Sequence, residues 1–248
     1  MLDAPTAQLS LWSEADAGES WVVRESRRAR RLAVRVFQTG RVEVVVPLST
    51  SRLAVEGFIA RHRGWIERKR AEARDRALPR EVFPPHSIEL AACGASWRVQ
   101  LAGGAGRSRL AASMGLIRLS GDSSDTRAVR LLLRRWLIDE AVVVLGGWLE
   151  QCARDLGFSY RKIIIRRQRT RWGSCSARGT ISLNCCLLFQ RPEVVRYLMI
   201  HELAHTRHMN HSRRFWQCVA EHCPGHRSLD RELLDGWRRV PLWVFGEV

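Results

Sequence analysis

Residues 192–212 read Pro-Glu-Val-Val-Arg-Tyr-Leu-Met-Ile-His-Glu-Leu-Ala-His-Thr-Arg-His-Met-Asn-His-Ser, and the rest of the chain is most easily understood outward from them. Pro192 suits the first turn of a helix, where its missing N–H is not needed, and Glu193 beside it complements the helix dipole. From Val194 to Ile200 the residues are apolar apart from Arg196 and Tyr197, so the cluster His201-Glu202-Leu203-Ala204-His205 falls inside a helix meant for the interior. Histidines four apart stand one above the other on a helix face, about 6 Å between Cβ atoms, and both rings can reach one metal ion. Glu202 projects about 100° away around the helix, where it can serve a water at the metal rather than the metal itself.

A catalytic zinc site uses three protein ligands and keeps a fourth position open. The candidates for the third ligand are His208, His211, Glu221 and His222. On an unbroken helix His208 shares the face of His205 but crowds the substrate side. His211 reaches the metal only if the helix ends first, which Asn210 and a new N-cap at Ser212 allow. His211 is therefore favoured, with Glu221, on the next helix (213–221), as the alternative.

Before this region the chain reads as mixed α and β. The first 19 residues are small and polar without periodicity, as in a tail. Leu32-Val34-Val36 and Val42-Val44-Val46 alternate around a turn at Thr39-Gly40, a hairpin pattern, and helical spacing runs from Leu53 to about Ala73. A linker (78–86) follows, then strand-like runs at 87–90, 97–101 and 116–119. A long helix from Thr126 to Leu156 comes next, in which Gly146-Gly147 would mark close packing. Runs at 162–166 and 180–188 read as strands, which would place Cys185 and Cys186 on opposite faces of the second. The expected fold is thus α+β: a β-hairpin, a helix and a mixed β segment, then a zincin-like helical metal-binding region. The expected divisions are 1–19, 20–122 and 123–248, the last two being compatible with a single domain.

Composition narrows the setting. The 248 residues are 46% hydrophobic, enough for a core without disulfides. The seven cysteines form no CxxC pair and fit reduced thiols in a cytoplasmic protein. The longest apolar stretch, 141–148, is far shorter than the ~20 residues a membrane crossing needs. A formal net charge of +16 favours polyanionic partners, and Arg24, Arg27, Arg28, Arg30, Arg31 and Arg35 gather near the first strands. An arginine run on a hairpin is also an ordinary solvated face, and no RRM, KH or helix-turn-helix pattern accompanies it.

Several blocks in order now carry a resemblance: Thr170-Arg171-Trp172-Gly173-Ser174-Cys175, Ile181-Ser182-Leu183-Asn184, Pro192-Glu193-Val194 leading into His201-Glu202-Leu203-Ala204-His205, then His208-Met209-Asn210-His211-Ser212 and Phe215-Trp216. The chain resembles the YgjP-like metallopeptidases, relatives of the WLM and SprT-like zinc proteases. The resemblance implies one Zn2+ per chain on His201, His205 and His211, Glu202 as general base, and a peptide or protein substrate. Arg171, Trp172, Gly173, Tyr197 and His208 are candidate substrate-side residues; Trp172-Gly173 would let an extended substrate pair with a strand edge, and Tyr197, His208 or Arg171 could stabilise an oxyanion. The competing expectations are a metal-dependent hydrolase of nucleotide phosphoanhydrides and a nucleic-acid-associated module that processes bound protein.

Overall fold

A computed structural model describes residues 21–27, 29–37, 40–48, 50–75 and 82–246. The expected tail, Arg28, Thr39 of the hairpin turn and the first part of the linker lie outside these residues. The fold is α+β, and the chain divides into two compact units, 1–80 and 81–248.

In the first unit, β2 (Ala33–Val36) and β3 (Val42–Pro47) form the expected antiparallel pair, followed by α1 (Arg52–Asp75). The sheet order is β1-β3-β2, because an additional strand, β1 (Trp21–Ser26), pairs in parallel with β3. Val44 and Val46 on β3 pack with Val55 of α1, joined at the margin by Val23, Val34, Phe58 and Ile59. Arg24 and Arg35 both pair with Glu43, at 3.2 and 3.7 Å, so the arginine run is partly neutralised within its own sheet.

The second unit opens with a four-stranded sheet of order β4-β5-β7-β6, made of β4 (Ser87–Leu90), β5 (Ala95–Gly103), β6 (Arg109–Ser113) and β7 (Leu116–Ser120). Period-two burial on β4 and β7 turns Ile88, Leu90, Ile117 and Leu119 into the core. There they join the buried stripe of α2 (Thr126–Asp155), which includes Leu133, Leu137, Leu145 and Leu149. Asp125 caps α2 by accepting from the Ala128 N–H at 2.9 Å. Gly146 and Gly147 do not mark close packing: a Cβ built on either meets nothing within 4 Å, so the pair lies open on α2.

Then come β8 (Lys162–Arg166), β9 (Gly173–Cys175) and β10 (Thr180–Asn184), in the order β8-β10-β9 with β9 at an edge. The last strand is shorter than its apolar run. Asn184 accepts the Cys186 N–H through its side chain at 3.1 Å, which pulls the chain out of the ladder into a 3-10 turn over Cys185–Phe189. Cys185 and Cys186 are consequently both fully buried in that turn, rather than facing opposite sides of a strand. Helices α3 (Pro192–Ala204), α4 (Arg213–His222), α5 (His226–Asp235) and α6 (Leu242–Phe245) complete the unit. All seven cysteines are free thiols. Among the described residues no helix is long and apolar enough to cross a membrane.

Candidate metal centre

Helix α3 carries Pro192 in its first turn, and Val194, Val195, Leu198, Met199, Ile200, Leu203 and Ala204 are each at most 4% exposed. A helix apolar on nearly all sides belongs in a core, and here it carries His201, Glu202 and His205 into one. The helix ends at Ala204, more than a turn and a half before the stop expected at Asn210. Thr206 accounts for this: its N–H and its hydroxyl both donate to the Leu203 carbonyl, at 2.9 and 2.7 Å, satisfying an end that would otherwise continue. The chain then turns back, and Ser212 starts α4 by accepting from the Phe215 N–H, the cap expected there.

That reversal brings His211 over α3. Its Nε2 lies 3.1 Å from His201 Nε2, and its ring centroid is 4.7 Å from that of His205. One ring nitrogen from each of the three histidines falls within 4.8 Å of the others. Nitrogens about 2.0–2.1 Å from a tetrahedral zinc would stand about 3.3 Å apart, and the His201–His211 pair is already near that spacing.

The protonation states suit a cation. Burial, and then the neighbouring His205 and His211, hold His201 down at about 3, and burial also lowers His205. His205 Nδ1 faces the His208 carbonyl at 3.1 Å, so Nδ1 donates and Nε2 keeps its lone pair. The backbone of His208, not its ring, makes this contact. Glu202 is 4% exposed, burial pushes its carboxyl up to about 8, and its Oε2 has no hydrogen-bond partner. A buried, unpartnered carboxyl beside three convergent imidazoles is the arrangement that a divalent cation with a water would complete. The residues present fit zinc.

The other candidates fall around this centre. Tyr197 is 1% exposed; its hydroxyl donates to Asp230 Oδ1 at 2.7 Å and lies 3.5 Å from His201 Nδ1, on the side of the ring away from His211. Trp172 is buried, its ring stacked on Trp237 at 4.0 Å. The C-terminal segment carrying Trp237 is tied down by Arg134, Arg167 and Arg169, which donate to the carbonyls of Trp243, Val244 and Phe245. Gly173 runs against Glu202: a Cβ there would sit 2.6 Å from Oε1 and 2.9 Å from both Cγ and Cδ. Arg171 is exposed, and its carbonyl accepts from the Asn184 side chain at 2.7 Å. Glu221 is exposed on α4 and takes no part in the triad, while His222 packs edge-on against Phe158.

Three residues that shape the site, Asn184, His226 and Asp230, have no site role assigned from sequence, although Asn184 closes one of the blocks that carry the resemblance. Asn184 fixes the approach to β9, donating to the Gln168 and Arg171 carbonyls at 2.7 Å each; a polar residue closing an apolar strand was its one visible signal. Asp230 left none, because its partner Tyr197 is 33 residues away, and His226 left none because no ligand spacing or motif includes it.

A family model described as YgjP-like, metallopeptidase domain matches residues 30–235. Among solved structures, the metallopeptidase zymogen abylysin of Pyrococcus abyssi is similar at 28% identity, covering 36% of this chain and 91% of that one with a TM-score of 0.34. The zymogen jannalysin of Methanocaldococcus jannaschii is similar at 18% identity, covering 35% of this chain and 90% of that one with a TM-score of 0.32. No curated protein matches the chain. With the family model spanning most of its length, the chain belongs to the YgjP-like metallopeptidase family.

Proposed function

We propose that this protein is a zinc-dependent peptidase in which His201, His205 and His211 hold one metal ion and Glu202 is the general base. The observation that carries this reading is the convergence of three imidazole nitrogens within 4.8 Å beside a buried carboxyl whose Oε2 has no partner. When bound, zinc supplies a Lewis acid for a carbonyl and makes a water acidic enough to give up a proton near neutral pH. An all-imidazole donor set with a carboxylate base favours zinc over harder cations.

The chain's own residues then do the rest. Glu202 Oε2, with no partner of its own, takes the proton from a water whose oxygen bonds to the scissile carbonyl carbon, and passes it to the amine that leaves as the C–N bond breaks. Substrate lies along β9. The Asn184 N–H donates to the Trp172 carbonyl at 2.8 Å and the Ser176 N–H to the Thr180 carbonyl at 3.0 Å. In an antiparallel ladder, those bonds turn the N–H and C=O groups of Gly173 and Cys175 away from β10, toward the open edge. An extended peptide adds there by backbone pairing, alongside Glu202. Arg171, exposed just before the strand, is available to polar groups of the substrate.

The test compares zinc-loaded wild type with Glu202→Gln against a panel of fluorogenic peptides and a panel of nucleoside triphosphates. Peptide cleavage by wild type, reduced about 10²–10⁴-fold in the variant with zinc retained, is expected. Unchanged turnover in the variant, or hydrolysis confined to the nucleotides, would overturn the proposal.

A further inference from the structure

Two contacts behind the histidines lead to the same helix. Tyr197 places its hydroxyl 3.5 Å from His201 Nδ1 and donates its own proton to Asp230 at 2.7 Å. The oxygen thus turns a lone pair toward Nδ1, the nitrogen of His201 that does not face His211. With the proton on Nδ1, Nε2 is left bare toward the triad.

His211 stands on the turn between helices and is exposed, with no backbone ladder to fix its ring. One plane runs nearly parallel to it: the Trp216 indole, at 24° and 5.6 Å between centroids, whereas Phe215 meets it edge-on at 88°. Trp216 in turn lies at 24° and 5.7 Å from His226, which is buried and held through Nδ1 to the Cys223 carbonyl at 3.2 Å.

His226 and Asp230 are four apart on α5 and so share one face. That helix is fastened to the start of α3 by Glu232, which accepts from Arg191 Nε and Nη2 at 2.9 and 2.7 Å and pairs with Arg239 at 2.9 Å.

We infer that α5 is the positioning element of the metal centre, setting His201 through Asp230 and Tyr197 and setting His211 through His226 and Trp216. This rests on the reading of the triad as a metal site. Asp230, Tyr197, His226 and Trp216 are positioning residues; none contributes a ligand. Outer-shell partners of metal-bound histidines are typically worth 10–100-fold in metal affinity, and that is the scale expected for each arm.

Zinc affinity, measured on the full-length protein by competition with a fluorescent chelator, tests this, together with the visible spectrum of the Co2+ form. Tyr197→Phe and Asp230→Asn should each weaken zinc binding about 10–100-fold, and the double variant should bind no more weakly than the weaker single one, since the two act in series. His226→Ala should weaken binding about tenfold and His226→Phe, which keeps a ring against Trp216, should restore it. Leu234→Ala, an exposed change on the same helix, should bind as wild type does. Apo-protein unfolding midpoints, with affinities read well below each, separate positioning from folding. Wild type that binds no zinc would remove the metal reading beneath the inference. Wild type that binds zinc, with variants of equal affinity, additive effects in the double variant or no rescue by His226→Phe, would overturn the inference alone.

Discussion

Replacing Gly173 with alanine adds one methyl group, and the structure fixes what it meets. The new Cβ would lie 2.9 Å from Glu202 Cγ and Cδ and 2.6 Å from Oε1. Comfortable carbon contacts begin near ~3.5 Å, so the two chains must part by about 0.6 Å. The φ of Gly173 is not in the left-handed region, so alanine suits the backbone and the effect is steric. Glu202 sits on a helix packed on nearly all sides, whereas β9 is an edge strand that, among the described residues, pairs with β10 alone. Either the strand retreats or the carboxylate swings; both displace the base relative to a substrate on β9. A misplacement of about 1 Å costs on the order of 10²-fold in rate, so Gly173→Ala should lower kcat about 10–100-fold, or about 1.4–2.7 kcal/mol. Overpacking should also lower stability by about 1–3 kcal/mol. Metal affinity should hold, because the three atoms nearest the new Cβ all belong to Glu202 rather than to a histidine. Peptide turnover, zinc competition and urea unfolding on one preparation measure all three, and adding Glu202→Asp, one methylene shorter, should recover stability without recovering turnover. Undiminished kcat in Gly173→Ala would refute this reasoning, as would loss of metal.

Two further outcomes follow from contacts around the site. Asn184→Ala removes a fully buried side chain that serves the part-buried Gln168 and Arg171 carbonyls and the buried Cys186 N–H; with about 1–3 kcal/mol for the buried group and less for the two that water can reach, urea unfolding should show a loss of about 2–3 kcal/mol. Glu232 is held below its ordinary carboxylate value by hydrogen bonding to Arg191, with the charges of Arg191 and Arg239 adding to this, so the stability it adds is present above the usual glutamate range and fades as pH falls through its lowered value. The gap in urea midpoint between wild type and Glu232→Gln should therefore be largest near neutral pH and close as the solution is acidified below the ordinary glutamate range; a gap that widened in acid would contradict the assignment.

The legibility of this protein varied with the range of the interactions that build it. Helix α3 was readable because a proline start, an apolar run and two histidines four apart are all local signals, and the helices at 52–75 and 126–155 declared themselves by spacing in the same way. Strand β1 was not, since it pairs in parallel with β3, across the intervening β2, and no turn signal marks such a pairing. The run at 180–188 has the pattern of one strand because apolar letters do not show that the Asn184 side chain ends the ladder. The position of His211 depended on a helix stop whose cause, the Thr206 hydroxyl, lay in a residue with no special prior for that role. Gly173 could be flagged as a point of close approach, yet only coordinates reveal that Glu202 is what approaches. The support from α5 was out of reach, because Tyr197 and Asp230 are 33 residues apart.

Metal stoichiometry tests the central claim most directly. Elemental analysis after dialysis against trace zinc should give one zinc per chain for wild type, for Glu202→Gln and for Glu221→Ala, and far less for His201→Ala, His205→Ala or His211→Ala. Wild type without metal, or Glu221→Ala depleted while His211→Ala stays loaded, would contradict it.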